Sequence, residues 1–270
     1  MFKKLLFLVV LFSISILEST CLAKTLDEPT KRFIYEITSP GIGKGTGFTV
    51  SDSLLGFVLV TCKHVVQDKK GVYADSIYLR RNKLLPTGEA ISDTSQFVVR
   101  LKAGGLQYIV EHPNPDVDLI MVPLLQSNTT LSANESPYGL YSRVVLSKER
   151  MKEKGIGEGT DVEVIGFSLR LPKNRPHYHF SRFGNIGLYT TDEFTLIIDS
   201  IPRTANFILL DMTTRPGDSG SPVFAHIRDK TYLIGFISAA SKEMEYGIAY
   251  PVYYLHDLMQ IIRDKFKKHK

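Results

Sequence analysis

The sequence has very little cysteine. It contains two cysteines, Cys21 and Cys62, and Cys21 lies in an N-terminal stretch that we expect to be removed. An intrachain disulfide in the mature protein is therefore excluded, and the stability of the fold must come from a hydrophobic core. Cys62 itself lies in a strand-like run, which predicts a small buried side chain.

Long hydrophobic runs are also missing. The longest, Leu5–Leu17, has 13 residues and is too short to span a bilayer comfortably. Lysines precede it, and small residues at Cys21 and Ala23 follow it, which predicts a signal peptide over 1–23 with cleavage before Lys24. We therefore expect an exported protein, periplasmic or secreted, without a stable membrane span. Lipidation at Cys21 is the less favoured alternative, because the residues before it are a poor lipobox.

The chain has no strong excess of either charge. Its formal net charge is +5, and much of the excess lies in the last six residues. This favours a solvated helix end over a nucleic-acid partner. Removal of the signal peptide leaves 247 residues, enough for one domain and little more.

Strand-like runs separated by glycine, proline or polar clusters are the main pattern that is present, which predicts an antiparallel all-β fold. The predicted strands are 32–38, 46–50, 56–61, 76–80, 96–101, 119–124, 161–167, 194–198, 207–212 and 232–238. Helices are predicted after His64, over 146–154, and over about 252–266. Residues 83–94 and 171–179 are predicted to be surface loops.

The most informative motif lies at residues 215–222, which read RPGDSGSP. Two glycines, an acid and Ser219 form a turn between apolar runs. Such a turn can present one serine hydroxyl and direct backbone N–H groups toward the same point, as acyl-transfer chemistry requires. A hairpin turn without chemistry is the alternative.

A histidine and an acid precede that serine. His64 ends a buried-strand pattern, and Asp118 opens the apolar run 119–122. Asp116 is the competing acid, but a strand beginning there would contain a second acid. The order His64, Asp118, Ser219 is one of three unrelated orders in which the Ser-His-Asp triad occurs.

With these motifs the chain resembles the trypsin-like (chymotrypsin-fold) serine proteases, in the style of the bacterial HtrA/Deg and V8-like enzymes. The resemblance covers about 33–262 and includes the glycine-rich entry 41–50 and the run Gly247–Pro251. It implies two six-stranded antiparallel Greek-key β-barrels and a C-terminal helix. The implied domain is 24–270, with barrels at about 30–130 and 140–250, joined by a crossing at about 127–141. No PDZ module is expected after this domain.

The resemblance also implies roles for particular residues. Ser219 would be the nucleophile, His64 the base and Asp118 its partner, while the N–H groups of Gly217 and Ser219 would form the oxyanion hole. In some relatives the residue matching Asp218 pairs with a newly cut N-terminus, but no Ile-Val-Gly-Gly activation sequence occurs here. The implied substrate-binding residues are Thr213, Ser238, Ala239, Ala240 and Gly247.

The expected function is therefore a serine endopeptidase acting on a protein or peptide, without a cofactor or a metal. Thr213 is uncharged and Ile237 replaces the histidine of glutamyl-specific relatives, so small or medium apolar P1 residues are expected. Two alternatives remain open: a non-catalytic module that binds peptides by strand addition, and an esterase with the same machinery. The sequence gives no oligomeric state.

Overall fold

The fold is described over residues 30–84, 90–130, 139–167, 179–240 and 245–268 in a computed structural model. The predicted signal peptide, with Cys21, lies outside the described residues, as do residues 131–138 of the predicted barrel crossing. None of the described helices is long and apolar enough to cross a membrane.

The first half of the chain forms a curved, mainly antiparallel sheet of eight strands. In spatial order it runs β5-β4-β1-β2-β3-β9-β8, and the short strand β10 pairs in parallel with β2. The last residues after β9 pair with the outer strand, since Arg100 N donates to Asn128 O at 2.7 Å and Thr130 N donates to Val98 O at 3.0 Å. The strands are β1 Ile34–Ser39, β2 Gly43–Asp52, β3 Gly56–Thr61, β4 Ser76–Leu84, β5 Ala90–Arg100, β6 Lys102–Ala103, β7 Leu106–Gln107, β8 Val110–Glu111, β9 Ile120–Pro123 and β10 Leu140–Tyr141.

The second half forms a closed six-stranded barrel in the order β11-β12-β15-β18-β17-β16. A separate hairpin, β13-β14, is inserted between β12 and β15. The strands are β11 Asp161–Gly166, β12 Phe180–Tyr189, β13 Phe194–Ile198, β14 Ile201–Ala205, β15 Ile208–Asp211, β16 Pro222–Ile227, β17 Lys230–Ala240 and β18 Gly247–Pro251.

Within the described residues, helices are few and short, apart from the last. They are α1 Lys63–Val66, α2 Lys148–Glu153 and α3 Tyr253–Lys268, with 3₁₀ turns at Thr30–Phe33 and Ser142–Val144. The α2 helix begins after Ser147, whose side chain accepts a hydrogen bond from Arg150 N. This is an ordinary serine N-cap.

The two sheets share one hydrophobic core, because apolar side chains from both meet at their interface. Phe33 packs edge-on against Phe224 with ring centroids 6.1 Å apart. Polar contacts also cross the interface: Tyr250 Oη donates to Asp116 O at 2.6 Å, and Cys62 Sγ donates to Ile237 O at 3.2 Å. Cys62 is fully buried, as its strand-like setting predicts.

The all-β, two-barrel fold with a C-terminal helix is confirmed, and the second barrel closes with six strands. The first sheet differs in detail, since its strands leave a half-barrel rather than a closed ring. Of the loop predicted over 83–94, residues 83–84 and 90–94 are strand, since β4 extends to Leu84 and β5 begins at Ala90, and residues 85–89 lie outside the described residues. Strand β12 was not predicted, because its mostly exposed side chains lack apolar alternation.

The C-terminal helix α3 contacts both halves of the molecule. Its Tyr254 Oη accepts a hydrogen bond from Asn206 N at 2.8 Å in the second half. Its Arg263 donates to Asp52 Oδ2, with Nη2 at 2.6 Å and Nε at 3.2 Å, at the end of β2. Burial raises the pKa of Asp52, but the hydrogen bonds from Arg263 and from two backbone amides outweigh it and bring the pKa to about 2.

The first prediction concerns this helix contact. An aspartate whose pKa is lowered on folding stabilises the fold above the unfolded pKa, and the stabilisation is lost as pH falls toward the folded value. Asp52→Asn should therefore lower the free energy of unfolding near pH 7 by about 2 kcal/mol. The deficit should shrink as pH falls from about 5 toward 2, as followed by urea unfolding.

The control is Asp75→Asn, since the Asp75 side chain is 91% exposed. It should unfold like the parent chain at every pH. An Asp52→Asn deficit that stays constant across this pH range would contradict the prediction.

Candidate active site

His64 lies where strand β3 passes into the short helix α1. Its neighbours Lys63, Val65 and Val66 are buried, whereas the His64 side chain is 46% exposed. Lys63 Nζ donates to Pro115 O at 3.3 Å and so ties α1 to the loop before β9. The single helical turn thus leaves the imidazole partly exposed, while the residues on either side of it are buried.

Asp118 lies in that loop and contacts His64 through both carboxylate oxygens. Its Oδ2 is 2.5 Å from His64 Nδ1, and its Oδ1 accepts the His64 backbone N–H at 3.3 Å. Ser238 Oγ also donates to Oδ2, at 2.9 Å. The carboxylate is 4% exposed, so its charge is stabilised by these three donors rather than by water.

The pair shifts the ionisation of both groups. Burial raises the pKa of Asp118, but the charge and hydrogen bond of His64, with the hydrogen bond of Ser238, outweigh it and bring the pKa to about 2. Burial lowers the pKa of His64, but the charge and hydrogen bond of Asp118 outweigh it and raise the pKa above 6.5. The nearby Asp199 raises it further, and Arg203 acts in the opposite sense.

Asp116, the competing acid, has a different partner. Its Oδ2 accepts the backbone N–H of Thr204 at 3.0 Å, and its backbone carbonyl accepts the hydroxyl of Tyr250. It therefore holds the β13-β14 hairpin against the loop before β9. Of the two acids, Asp118 is the one that contacts His64.

Ser219 follows a tight turn formed by Arg215–Asp218. Asp218 N donates to Arg215 O at 3.0 Å, and Gly217 has a φ of 100°. Proline at the second position and positive φ at the third identify a type II turn, which explains why the motif has glycine at 217. Within the described part of the chain, no acceptor contacts the N–H groups of Gly217 or Ser219. Both are available for an oxyanion.

Thr46 of β2 fixes this turn from the first barrel. Its Oγ1 donates to Gly217 O at 2.7 Å, and its N–H donates to Ser219 O at 2.8 Å. The approach is close enough that a Cβ at Gly220 would lie 1.9 Å from Thr46 O, and one at Gly45 would clash with Val65. Of the glycines at the entry to β2, Gly45 is the one that approaches the second barrel, since a Cβ there would also lie 3.0 Å from Ser219 O.

Ser238 connects the three sequence-predicted residues. It is the extra residue of a β-bulge in β17, between Ile237 and Ala239, and it is 3% exposed. Its hydroxyl binds Asp118, and its carbonyl accepts a hydrogen bond from Ser219 Oγ at 3.2 Å. Among the described residues, no hydrogen bond joins Ser219 Oγ directly to His64. A substrate-binding role for Ser238 would therefore involve its main chain, since its side chain faces Asp118.

The other sequence-predicted binding residues lie beside this bulge. Thr213 is exposed, Ala239 is half-buried, and Gly247 pairs with Ala240 across β17 and β18. A Cβ at Gly247 would lie 2.7 Å from Thr214 Cγ2, so any larger residue at position 247 would push against the Thr214 side chain. These residues share one end of the second barrel, next to the turn that carries Ser219.

One group of described residues has the composition of a metal site. Suitable atoms of Cys62, His64 and Asp118 lie within 4.8 Å of one another. However, His64 and Asp118 are already bonded to each other, and burial, followed by the charge of Asp118, raises the pKa of the Cys62 thiol. A protonated thiol is a poor metal ligand, so these residues fit an acid-base pair better than a metal.

Two contacts of the site escaped sequence analysis. Thr46 was seen only as part of a glycine-rich entry. Arg182, which pairs with Asp218 from β12, lies in a strand that was not predicted. A polar residue flanked by glycines at the start of a strand was the available signal for Thr46, and nothing in the local pattern singles out Arg182.

Comparison with known proteins identifies the family. The family model for the trypsin-like peptidase domain matches residues 45–230. No curated protein matches the chain.

Solved structures share the fold at low sequence identity. An inactive form of the Rv3671c protease from M. tuberculosis is 16% identical, with 87% of this chain and 90% of that chain covered and a TM-score of 0.52. A serine-to-alanine mutant of Rv3671c gives 16% identity, 87% and 89% coverage, and a TM-score of 0.53. The thermostable serine protease AL20 from an extremophilic microorganism gives 9% identity, 84% and 95% coverage, and a TM-score of 0.51. Because the family model matches residues 45–230, more than half of the chain, the chain belongs to the family of trypsin-like peptidase domains, and it is a trypsin-like serine protease.

Proposed function

We propose that the protein is an exported endopeptidase that cleaves peptide bonds through a Ser219–His64–Asp118 triad and an acyl-enzyme. The observation that carries the proposal is the buried Asp118 carboxylate. It binds the ring of His64 at 2.5 Å and Ser238 at 2.9 Å, and Ser238 in turn accepts the hydroxyl of Ser219. A carboxylate, an imidazole and a serine hydroxyl are thus connected at the mouth of one cleft.

The contacts support a definite role for each group. Asp118 holds Nδ1 of His64, which leaves Nε2 to accept the proton of Ser219 as its oxygen attacks the scissile carbonyl. The attack requires the Ser219 hydroxyl to turn from Ser238 O toward His64. The resulting oxyanion would accept hydrogen bonds from the backbone N–H groups of Gly217 and Ser219. His64 then returns the proton to the leaving amine, and water hydrolyses the ester by the reverse steps.

The residues around the cleft favour a small or medium apolar P1 side chain. The exposed Thr213 is uncharged, and the closely packed Gly247 and the half-buried Ala239 contribute no charge. A pocket for lysine or arginine would need a carboxylate in this wall, which none of these residues supplies.

The proposal is tested by covalent labelling of residues 24–270 with a fluorophosphonate probe, with the adduct mapped by mass spectrometry. We expect an adduct on Ser219 that disappears in Ser219→Ala and in His64→Ala, because the hydroxyl needs its base. Ser53→Ala, an exposed serine in the first barrel, should label like the parent.

A parent chain that is folded but unlabelled across neutral pH would contradict the proposal. It would favour the second candidate, a module that binds peptides without cleaving them. The observation in favour of that candidate is the Ser219 hydroxyl itself, which donates to Ser238 O rather than to His64 in the present structure.

The labelling rate should depend on pH through His64. Only neutral imidazole can accept a proton, and the pKa of His64 is raised above 6.5. The rate should therefore rise with pH through a midpoint above 6.5, as measured by probe kinetics from about pH 5 to 9.

Asp116→Asn is the matched control, because Asp116 contacts Thr204 rather than His64. Its pH profile should have the same midpoint as the parent. If the labelling rate of the parent chain had its pH midpoint at or below 6.5, the contact between Asp118 and the His64 ring would not be the one described.

Export is the remaining part of the proposal. It rests on the lysines at positions 3 and 4, the apolar run Leu5–Leu17 and the small residues before Lys24. We expect protein recovered from the cell envelope or medium to begin at Lys24 when its intact mass is measured. Cys21→Ala should not change its release, since lipidation is not expected. A full-length mass, or retention that depends on Cys21, would contradict this part alone.

A further inference from the structure

The residue before His64 is a buried lysine that the proposed mechanism does not use. The Lys63 side chain is 10% exposed, and its Nζ donates to Pro115 O at 3.3 Å and lies 3.8 Å from Glu111 Oε2. Burial lowers the pKa of Lys63, whereas the negative charges of Glu111 and Asp118 act in the opposite sense. A buried charge needs such partners. Lys63 therefore belongs to the same charge network as the carboxylate of the proposed triad.

A second cation reaches the same carbonyl from the other half of the molecule. Arg203, in strand β14 of the inserted hairpin, donates from Nη1 to Pro115 O at 3.4 Å. The next residue, Thr204, donates its backbone N–H to Asp116 Oδ2 at 3.0 Å. The charge of Arg203 lowers the pKa of Lys63, as expected for two cations close together. The carbonyl of Pro115 is thus shared by donors from two distant segments.

Pro115 lies in the loop that carries Asp118, which we call the acid loop (residues 112–118). The loop is braced internally, since Asp116 N donates to Asn114 Oδ1 at 2.9 Å and Val117 N donates to Asn114 O at 3.2 Å. Asp118 follows Pro115 by three residues, at the end of this braced segment. A movement of Pro115 O is therefore passed to the Asp118 carboxylate, and through it to the imidazole that the carboxylate binds.

The two donors can replace one another. A carbonyl oxygen has two lone pairs and can accept two hydrogen bonds. Both bonds are longer than the usual value of about 2.9 Å, and the two like charges repel each other. If either cation is removed, the other is free to move closer to the oxygen. Within the described part of the chain Lys63 and Arg203 are its donors, so only the loss of both leaves the carbonyl without a hydrogen bond.

We propose that Lys63 and Arg203 are positioning residues for Asp118: they share the carbonyl of Pro115 and hold the acid loop from both halves of the molecule. Both act through Asp118 rather than on the substrate. The inference rests on the proposed function and deepens it, because it assigns the inserted hairpin a role in the active site.

The test is a double-mutant cycle on residues 24–270, measured as the inactivation rate constant (kinact) and the inhibitor constant (KI) for the fluorophosphonate probe. Lys63→Met keeps an apolar stem in the buried position and removes the donor, and Arg203→Met removes the second cation. Each single variant should lower kinact by about threefold or less, since one donor remains. The double variant should be slower by about tenfold more than the product of the two single effects, with KI nearly unchanged.

The pH dependence of kinact separates a positioning role from a merely structural one. Burial lowers the pKa of His64, the charges of Asp118 and Asp199 raise it, and the charge of Arg203 lowers it. Arg203→Met alone should therefore raise the midpoint of the pH profile. Adding Lys63→Met should bring the midpoint down toward 6.5, because the contact between Asp118 and the ring is then weakened. Removal of one more positive charge would by itself move the midpoint up, so a fall reports the lost contact.

A rescue variant and a matched control complete the cycle. Lys63→Arg in the Arg203→Met background restores a charged donor and should recover part of the rate lost in the double variant. Lys69→Met combined with Arg228→Met makes the same change in net charge at two exposed positions and should label like the parent. Thermal melting followed by circular dichroism shows which variants are folded. If the double variant is not folded, Lys63→Gln with Arg203→Gln replaces it, and a loss greater than the product of its single effects is again expected.

The outcomes separate the roles of Lys63 and Arg203 from the proposed function. A parent chain that labels at Ser219, with a folded double variant no slower than the product of the single effects, would overturn these roles and leave the triad intact. A midpoint in the double variant equal to or above that of Arg203→Met, or an equal loss of rate in the exposed control pair, would overturn them as well. A parent chain that does not label overturns the proposed function itself.

Discussion

The buried charge of Asp118 is the constraint on which the rest of the cleft depends. A carboxylate at 4% exposure needs donors, and it obtains them from two parts of the fold: the backbone and ring of His64 in the first barrel, and the hydroxyl of Ser238 in the second. The β-bulge in β17 turns the Ser238 side chain toward Asp118. The hydrogen bond from Ser238 therefore joins the second barrel to a carboxylate that already orients the imidazole within the first.

A second set of polar contacts holds the turn before Ser219 between the same barrels. Thr46 reaches Gly217 O and Ser219 O from the first barrel, and Arg182 reaches Asp218 from the second. Every contact in this set involves a buried group, so leaving any one unpaired is unfavourable. Backbone N–H groups that remain free in such a turn are held rigidly, which is the condition for stabilising a developing charge without reorganisation.

The sequence predicted the parts of this arrangement that chain order and local pattern record. His64 closes an apolar run, Asp118 opens one, and Ser219 lies in a glycine-rich turn between two such runs. Asp118 is preferred to Asp116 because a strand beginning at Asp116 would contain a second acid. Most strands of the first sheet were predicted within a few residues. Strand β12 was not, since its side chains are mostly exposed and do not alternate.

What the sequence could not predict is which distant residues meet. Thr46 and Gly217 are 171 residues apart, and Arg182 and Asp218 are 36 apart. Neither pair leaves a local pattern, because a hydrogen bond between distant segments, whether across the barrel interface or within the second barrel, requires only one polar atom at each end. The glycines are the exception. Gly45, Gly166 and Gly220 each mark a place where a Cβ would strike another segment, so they record close approach without naming the partner. Gly220 approaches the backbone of Thr46 in the first barrel, whereas Gly166 approaches Ser221 within the second, so a glycine near the serine motif predicts close packing but not the segment against which it packs.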